Sequence, residues 1–354
     1  MSDTDSQSTE KPKLHWYQYR LWHLFVLMGL VAIGCGLIAW LTAVCREELH
    51  AYDEYPSVIA MRSLGGSVSG YGEFVNILDI HRTNIDDSAI IHVRNWQSLR
   101  IANLGSPNID GSGLRHLSDL QNLVAVLLDG SRVRDANLAY LTDLPRLRNL
   151  SLAGTPVSDK GLEHIGPMDS LESLNLAATS ISDKGLAHLT HLSKLDILNL
   201  RSTPITDASL CHLSTLAKLR SLDLRKTSIT DAGLVHLASL TELLVLKLAR
   251  TEIDGSGFKH LNRLTKLRDL DLQETDFSDA GLSHLEALVN LESLSLGGTQ
   301  VTDNGLRHLK SLKKLESLSL RNTATTEVGV RELQKSLPNC RIYRCDGPAN
   351  LISP

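Results

Sequence analysis

Aromatic residues are scarce in this 354-residue chain: four Phe, four Trp and seven Tyr make up 4% of it. A core built almost without rings has to be built from Leu, and 42% hydrophobic content dominated by one residue type points to repetition. Basic charge is in no excess either. Lys+Arg number 36 against 40 Asp+Glu, for a formal net charge of -4. The cations are scattered, so nothing supplies the phosphate neutralisation that nucleic acid requires. The five cysteines form no framework. Cys340 and Cys345 are near neighbours, but an extended chain would part them by roughly 5 × 3.3 Å, so only a turn would let them pair. There is no G-x-x-x-x-G-K-[ST], no G-x-S-x-G and no cysteine cluster, which removes the usual phosphate loop, nucleophile elbow and zinc cluster.

One absence is local. From Leu21 to Cys45 there is no Asp, Glu, Lys or Arg, and about 20 apolar residues in a helix cross a hydrocarbon layer of roughly 30 Å. Trp16, Tyr17, Tyr19 and Trp22 crowd one end and Trp40 marks the other, as amphipathic rings do at membrane interfaces. Lys11, Lys13 and Arg20 precede the segment, whereas Glu47, Glu48, Asp53 and Glu54 come after Arg46. The expectation is a single-pass anchor with its N-terminus cytoplasmic and the remainder outside the cytoplasm. A cleaved signal peptide ending near Ala43-Val44-Cys45 and a lipid-modified Cys35 are the alternatives.

The rest of the chain is periodic. Thr83, Thr155, Thr179, Thr203, Thr227, Thr251, Thr275, Thr299 and Thr323 stand in one register of 24, with Pro107 and Ser131 in the gaps. In the unit that begins at Thr155, Leu171, Leu174 and Leu176 read as a short strand whose alternate residues share a face. Asp159 before Lys160-Gly161-Leu162 reads as the carboxylate cap of a short helix. A strand-plus-helix unit cannot bury its apolar side alone, so the units must stack. The expected organisation is a cytoplasmic leader over 1–20, the span at 21–45, an acidic spacer over 46–56, a cap with the first strand over 57–82, repeats over 83–336, and a closing unit and tail over 337–354. Leu337-Pro338-Asn339-Cys340-Arg341-Ile342 is expected to replace the regular strand at the end.

The L-x-x-L-x-L-x-x-T strands with Ile229-Thr230-Asp231-Ala232-Gly233-Leu234-Val235-His236-Leu237 after them resemble the leucine-rich-repeat superfamily, in its cysteine-containing and GALA-like subtypes, and the membrane-anchored repeat proteins of bacteria. The resemblance covers residues 57 to about 345. It implies an α/β solenoid shaped as a horseshoe, with a parallel sheet on the concave face, helices on the convex face, and protein recognition as the role. Thr stands where many members carry Asn or Cys, which predicts a hydroxyl ladder satisfying backbone groups in the turn. Some similar proteins are ubiquitin-ligase substrate receptors with an F-box before the repeats; here residues 46–82 are too few to hold one.

Three ladders imitate chemistry. His92, His116, His164, His188, His212, His236, His260, His284 and His308 occupy one helix position. Equivalent side chains succeed one another at a helix spacing of roughly 8–10 Å, whereas zinc needs ligand atoms converging at about 2.0–2.3 Å. They are expected to pack in neutral form, which would make the protein less stable as pH falls below about 6.5. The aspartates at Asp87, Asp135, Asp159, Asp183, Asp207, Asp231, Asp279 and Asp303 are expected to be caps, since equivalent carboxylates supply no unequal acid–base pair. The glycines at Gly113, Gly161, Gly185, Gly233, Gly257, Gly281, Gly305 and Gly329 could be mistaken for phosphate-cradling loops, but their repetition says close packing. No catalytic residue, metal or cofactor is expected.

Departures from the repeat carry the functional information, because packing leaves those positions free. On the strands they fall at Ser173 and Asn175, Asn199 and Arg201, Ser221, Asp223 and Arg225, Val245 and Lys247, Asp269, Asp271 and Gln273, Ser293 and Ser295, and Ser317, Ser319 and Arg321. Charge concentrates between Arg201 and Asp271. Asn199, Arg201, Asp223, Arg225, Lys247, Asp269 and Asp271 are therefore the candidate partner-binding residues for a protein ligand, with a structural spacer of the cell envelope as the rival reading.

Overall fold

The computed structural model describes residues 56–71 and 74–344. The expected span 21–45, with the leader and the acidic spacer as far as residue 55, lies outside the described residues, and so does Cys345. Among the described residues no helix is long and apolar enough to cross a membrane.

Helix α1 (Pro56–Ser63) comes first, then strands β1 (Ser67–Tyr71) and β2 (Phe74–Asp79), then eleven three-residue strands at 24-residue spacing, from β3 (Ile101–Asn103) to β13 (Arg341–Tyr343). All thirteen form one sheet in chain order. From β2 onward every pairing is parallel and in register, so residues 24 apart stand side by side. In each three-residue strand the middle side chain turns inward. Leu198, Leu222, Leu246 and Leu270 are fully buried, while the residues flanking them are mostly half-exposed. Short α or 3₁₀ helices return the chain to the next strand, for example Asp159–Ile165 and Gly233–Leu237. The unit from Thr179 shows the packing rule, with Ile181, Leu186, Leu189, Leu192, Leu195, Leu198 and Leu200 all at 0% exposure. Each such side chain contributes about 1.5–3 kcal/mol on burial.

Both ends differ from the sequence reading. The cap adds an antiparallel strand, since β1 pairs with β2 at Val68↔Leu78. Helix α1 closes the open core by burying Val58 and Met61, and Trp96 Nε1 donates to Ser57 Oγ at 2.9 Å. At the other end the strand is not replaced. β13 continues the parallel register with Ser317↔Arg341 and Ser319↔Tyr343, because Ile342 supplies the inward apolar side chain that the position requires.

The hydroxyl ladder is present. Each Thr of the register donates to the carbonyl three residues earlier, as Thr179 Oγ1 does to Leu176 O at 2.6 Å and Thr227 Oγ1 to Leu224 O at 2.6 Å. In most repeats the residue before it adopts left-handed backbone, at φ 54 for Ala178 and φ 60 for Arg250. The aspartates are a correction. Asp159 heads its own helix, yet its carboxylate reaches forward one repeat, accepting from Ser182 N at 2.7 Å and Ser182 Oγ at 2.6 Å. Asp135, Asp183, Asp207, Asp279 and Asp303 make the same pair of bonds to the hydroxyl residue 23 positions on. They staple neighbours rather than cap. The reason is proximity: a side chain at the helix start faces the next repeat's unpaired amide. The glycine ladder has the same cause, because a Cβ at Gly185 would overlap the Asp159 carboxylate.

The histidines are a second correction. His92 and His236 are exposed and the other seven half-exposed, so the ladder lies at the surface and not in the core. Desolvation first, and then Arg115 and Arg94, lower the pKa of His116. His308 Nδ1 lies 2.6 Å from Glu286 Oε1. No cluster that could hold a metal ion occurs among the described residues.

Candidate partner-binding face

The outward side of the sheet brings the predicted residues together. Register places Asn199, Asp223, Lys247 and Asp271 in one file across β7 (Ile197–Asn199), β8 (Ser221–Asp223), β9 (Val245–Lys247) and β10 (Asp269–Asp271). Strands stand about 4.8 Å apart, so this file is about 14 Å long. Asp269 lies in the parallel file with Ser221, Val245 and Ser293. Arg201 and Arg225 come after β7 and β8 at the position just beyond the buried Leu200 and Leu224.

Electrostatically the patch is interleaved, not a basic strip beside an acidic one. Arg225 is already engaged by the end of β8: Nε donates to Asp223 Oδ1 at 2.9 Å and Nη2 to Oδ2 at 2.5 Å. That fork leaves Asp223 at 8% exposure and removes it as a free acid. Its hydrogen bond to Asp223 raises the Arg225 pKa, against the opposing effect of burial. Burial holds the Asp269 carboxyl above the ordinary carboxylate range, opposed by the charge of Lys247. Asp271 is raised by burial as well, opposed first by the backbone N–H of Gln273 and then by Arg225 and Lys247. Asn199 serves the backbone, its Oδ1 accepting from Arg201 N at 3.0 Å. The side chain of Arg201 meets no acid among the described residues, so Arg201, Lys247, Asp269 and Asp271 are the groups left for a partner. Ser173 lies by register in the file of Ser221 and Asp269, as expected, but is 8% exposed.

The i,i+2 spacing of Asp223 and Arg225 already puts both on one face, where they can neutralise each other; the fork between them shows that they do. Sequence reasoning passed over a polar network near the start of the sheet, where Ser151 Oγ donates to Asp129 and Asn175 Nδ2 donates to Ser151 Oγ at 2.9 Å. Cys340 is buried, and desolvation pushes its thiol up to about 11, which leaves it unreactive.

Residues 215–238, 263–285 and 287–310 match the Leucine Rich repeat family model. No curated protein matches the chain in sequence. Among solved structures it is similar to an internalin from Listeria monocytogenes, with TM-score 0.61 and 21% identity over 83% of this chain and 95% of that one. It is also similar to a TDR receptor, with TM-score 0.55 and 18% identity, covering 76% of this chain but 46% of the receptor's. At these identities the likeness shows the fold. Repeat and architecture together define a leucine-rich-repeat solenoid.

Proposed function

We propose that the chain is a protein-recognition module, tethered to a membrane through residues 21–45 with its repeats outside the cytoplasm, and that it is not an enzyme. One observation carries the reading: the departures from the repeat converge on one outward patch, with Arg201, Lys247, Asp269 and Asp271 grouped on the sheet among positions that packing already explains. Interleaved charges orient a partner and reject mismatched ones. The I-T-D-x-G-L-x-H-L half-repeat supports placing the solenoid with the GALA-like and cysteine-containing subtypes, and the uncharged run supports the anchor.

The test uses the full-length protein in detergent as bait. A partner that binds saturably should lose affinity about tenfold or more with Arg201→Glu combined with Asp271→Lys, equivalent to about 1.4 kcal/mol. The exposed helix-side residues Lys160 and Lys184, changed to Glu, should leave it bound. Equal affinity for wild type and the sheet-face variant places the site elsewhere, and no saturable ligand at all makes the protein a spacer.

A further inference from the structure

Immediately before each three-residue strand the chain enters the sheet through a residue whose equivalents form another file: Arg100, Val124, Arg148, Glu172, Asp196, Arg220. Arginines of this file are matched by acids of the adjoining repeat. Arg148 meets Glu172 at 3.2 Å, Arg220 meets Asp196 at 3.7 Å and, farther along, Arg268 meets Glu292 at 3.1 Å. Arg100 is the exception. Its neighbour in the file is Val124, and among the described residues no carboxylate pairs with it. Two residues before Arg148, Arg146 Nη1 donates to Asn122 Oδ1 at 2.7 Å, a neutral partner that leaves the guanidinium charge uncompensated.

These residues enclose a cleft of about 500 Å³ lined by Ser98, Arg100, Asn122, Val124, Arg146 and Arg148, with no acid in its wall. The geometry points to this cleft as a docking site for an acidic peptide segment, whose carboxylates Arg100 and Arg146 bind while Val124 receives an apolar side chain between them. Guanidinium forks match carboxylates two-prongedly. Val124 favours a peptide over a fully hydrophilic anion, since a phosphate or sulfated sugar has nothing apolar to set against it. The cleft lies at the strand-entry edge, away from the file that runs from Asn199 to Asp271, so its test is separable from that of the sheet face.

The experiment is fluorescence anisotropy of the full chain with a labelled peptide, Glu-Glu-Leu-Glu-Glu. Saturable binding is expected, weakening as salt shortens the screening length. Val124→Glu supplies the acid that the file lacks and should weaken binding about tenfold or more without disturbing the fold, and Arg100→Glu should do the same. Arg201→Glu should leave it unchanged. Absence of saturable binding, or equal affinity for the Val124→Glu protein, overturns the proposal. Inorganic phosphate or a sulfated disaccharide displacing the peptide at concentrations below the peptide's own dissociation constant would overturn the peptide assignment in favour of an anion site.

Discussion

The hydroxyl at the turn of each repeat shows how one atom decides what a position tolerates. Thr179 Oγ1 is buried and donates to Leu176 O at 2.6 Å, so Thr179→Val, equal in shape, should cost about 1 kcal/mol, the net worth of a typical hydrogen bond. Ser131 holds the same place in its own repeat, but its buried Oγ has no partner among the described residues. Ser131→Ala should therefore lie within about 0.5 kcal/mol of wild type. Urea denaturation of the two variants checks the contrast, and equal losses would show that the ladder's bonds do not set the difference. Asp269 carries a different residue-scale consequence. Its folded pKa stands above the ordinary value of 3.8 because burial disfavours the charge. Between 3.8 and that raised value the folded state binds more protons than the unfolded one, so stability declines as pH rises through the window. Asp269→Asn should raise the melting temperature at pH 7 by a few degrees and merge with wild type below about pH 3.8. A variant less stable at pH 7 would mean that attraction to Lys247 outweighs burial.

At the scale of the element, the repeat is defined as much by what passes between helices as by what each contains. The carboxylate of Asp159 bonds Ser182 N and Oγ and occupies the space above Gly185. Asp159→Ala should cost about 1–3 kcal/mol by orphaning an amide, and Gly185→Ala about 1–3 kcal/mol by overlap. The double variant should cost clearly less than their sum, because each change relieves the reason for the other's penalty. Additive losses in a double-mutant cycle would refute the staple. Where the repeat departs from the pattern, compensation is visible. Phe277 stacks edge-on against Phe258 with ring centroids 5.3 Å apart. It fits because Gly255 replaces the usual aspartate and Gly281 faces the same ring; a Cβ at either glycine would meet it. In the sequence one glycine belongs to a ladder and the other fills a gap in one, and only the packing shows that both answer a single ring.

The whole molecule adds the question of sides. Lys11, Lys13 and Arg20 before the uncharged run predict that protease added to spheroplasts digests the segment beyond Arg46. Protection of that segment with the outer layers open would reverse the orientation. Much of the molecule was legible in residue order. A fixed 24-residue period of Leu and Thr dictates stacked strand-and-helix units, because no single unit buries its own apolar side. The same period sets the parallel register, since equivalent residues must meet side by side, and so residue order alone assigns Asn199, Asp223, Lys247 and Asp271 to one file. Pairing was decided only in three dimensions. Whether a carboxylate caps its own helix or the next, whether a histidine is packed or wet, and which arginine is already held by an aspartate all depend on distances between side chains of folded segments. Periodicity says that such groups are neighbours; it does not say which lone pair faces which proton, and that choice belongs to the packed structure.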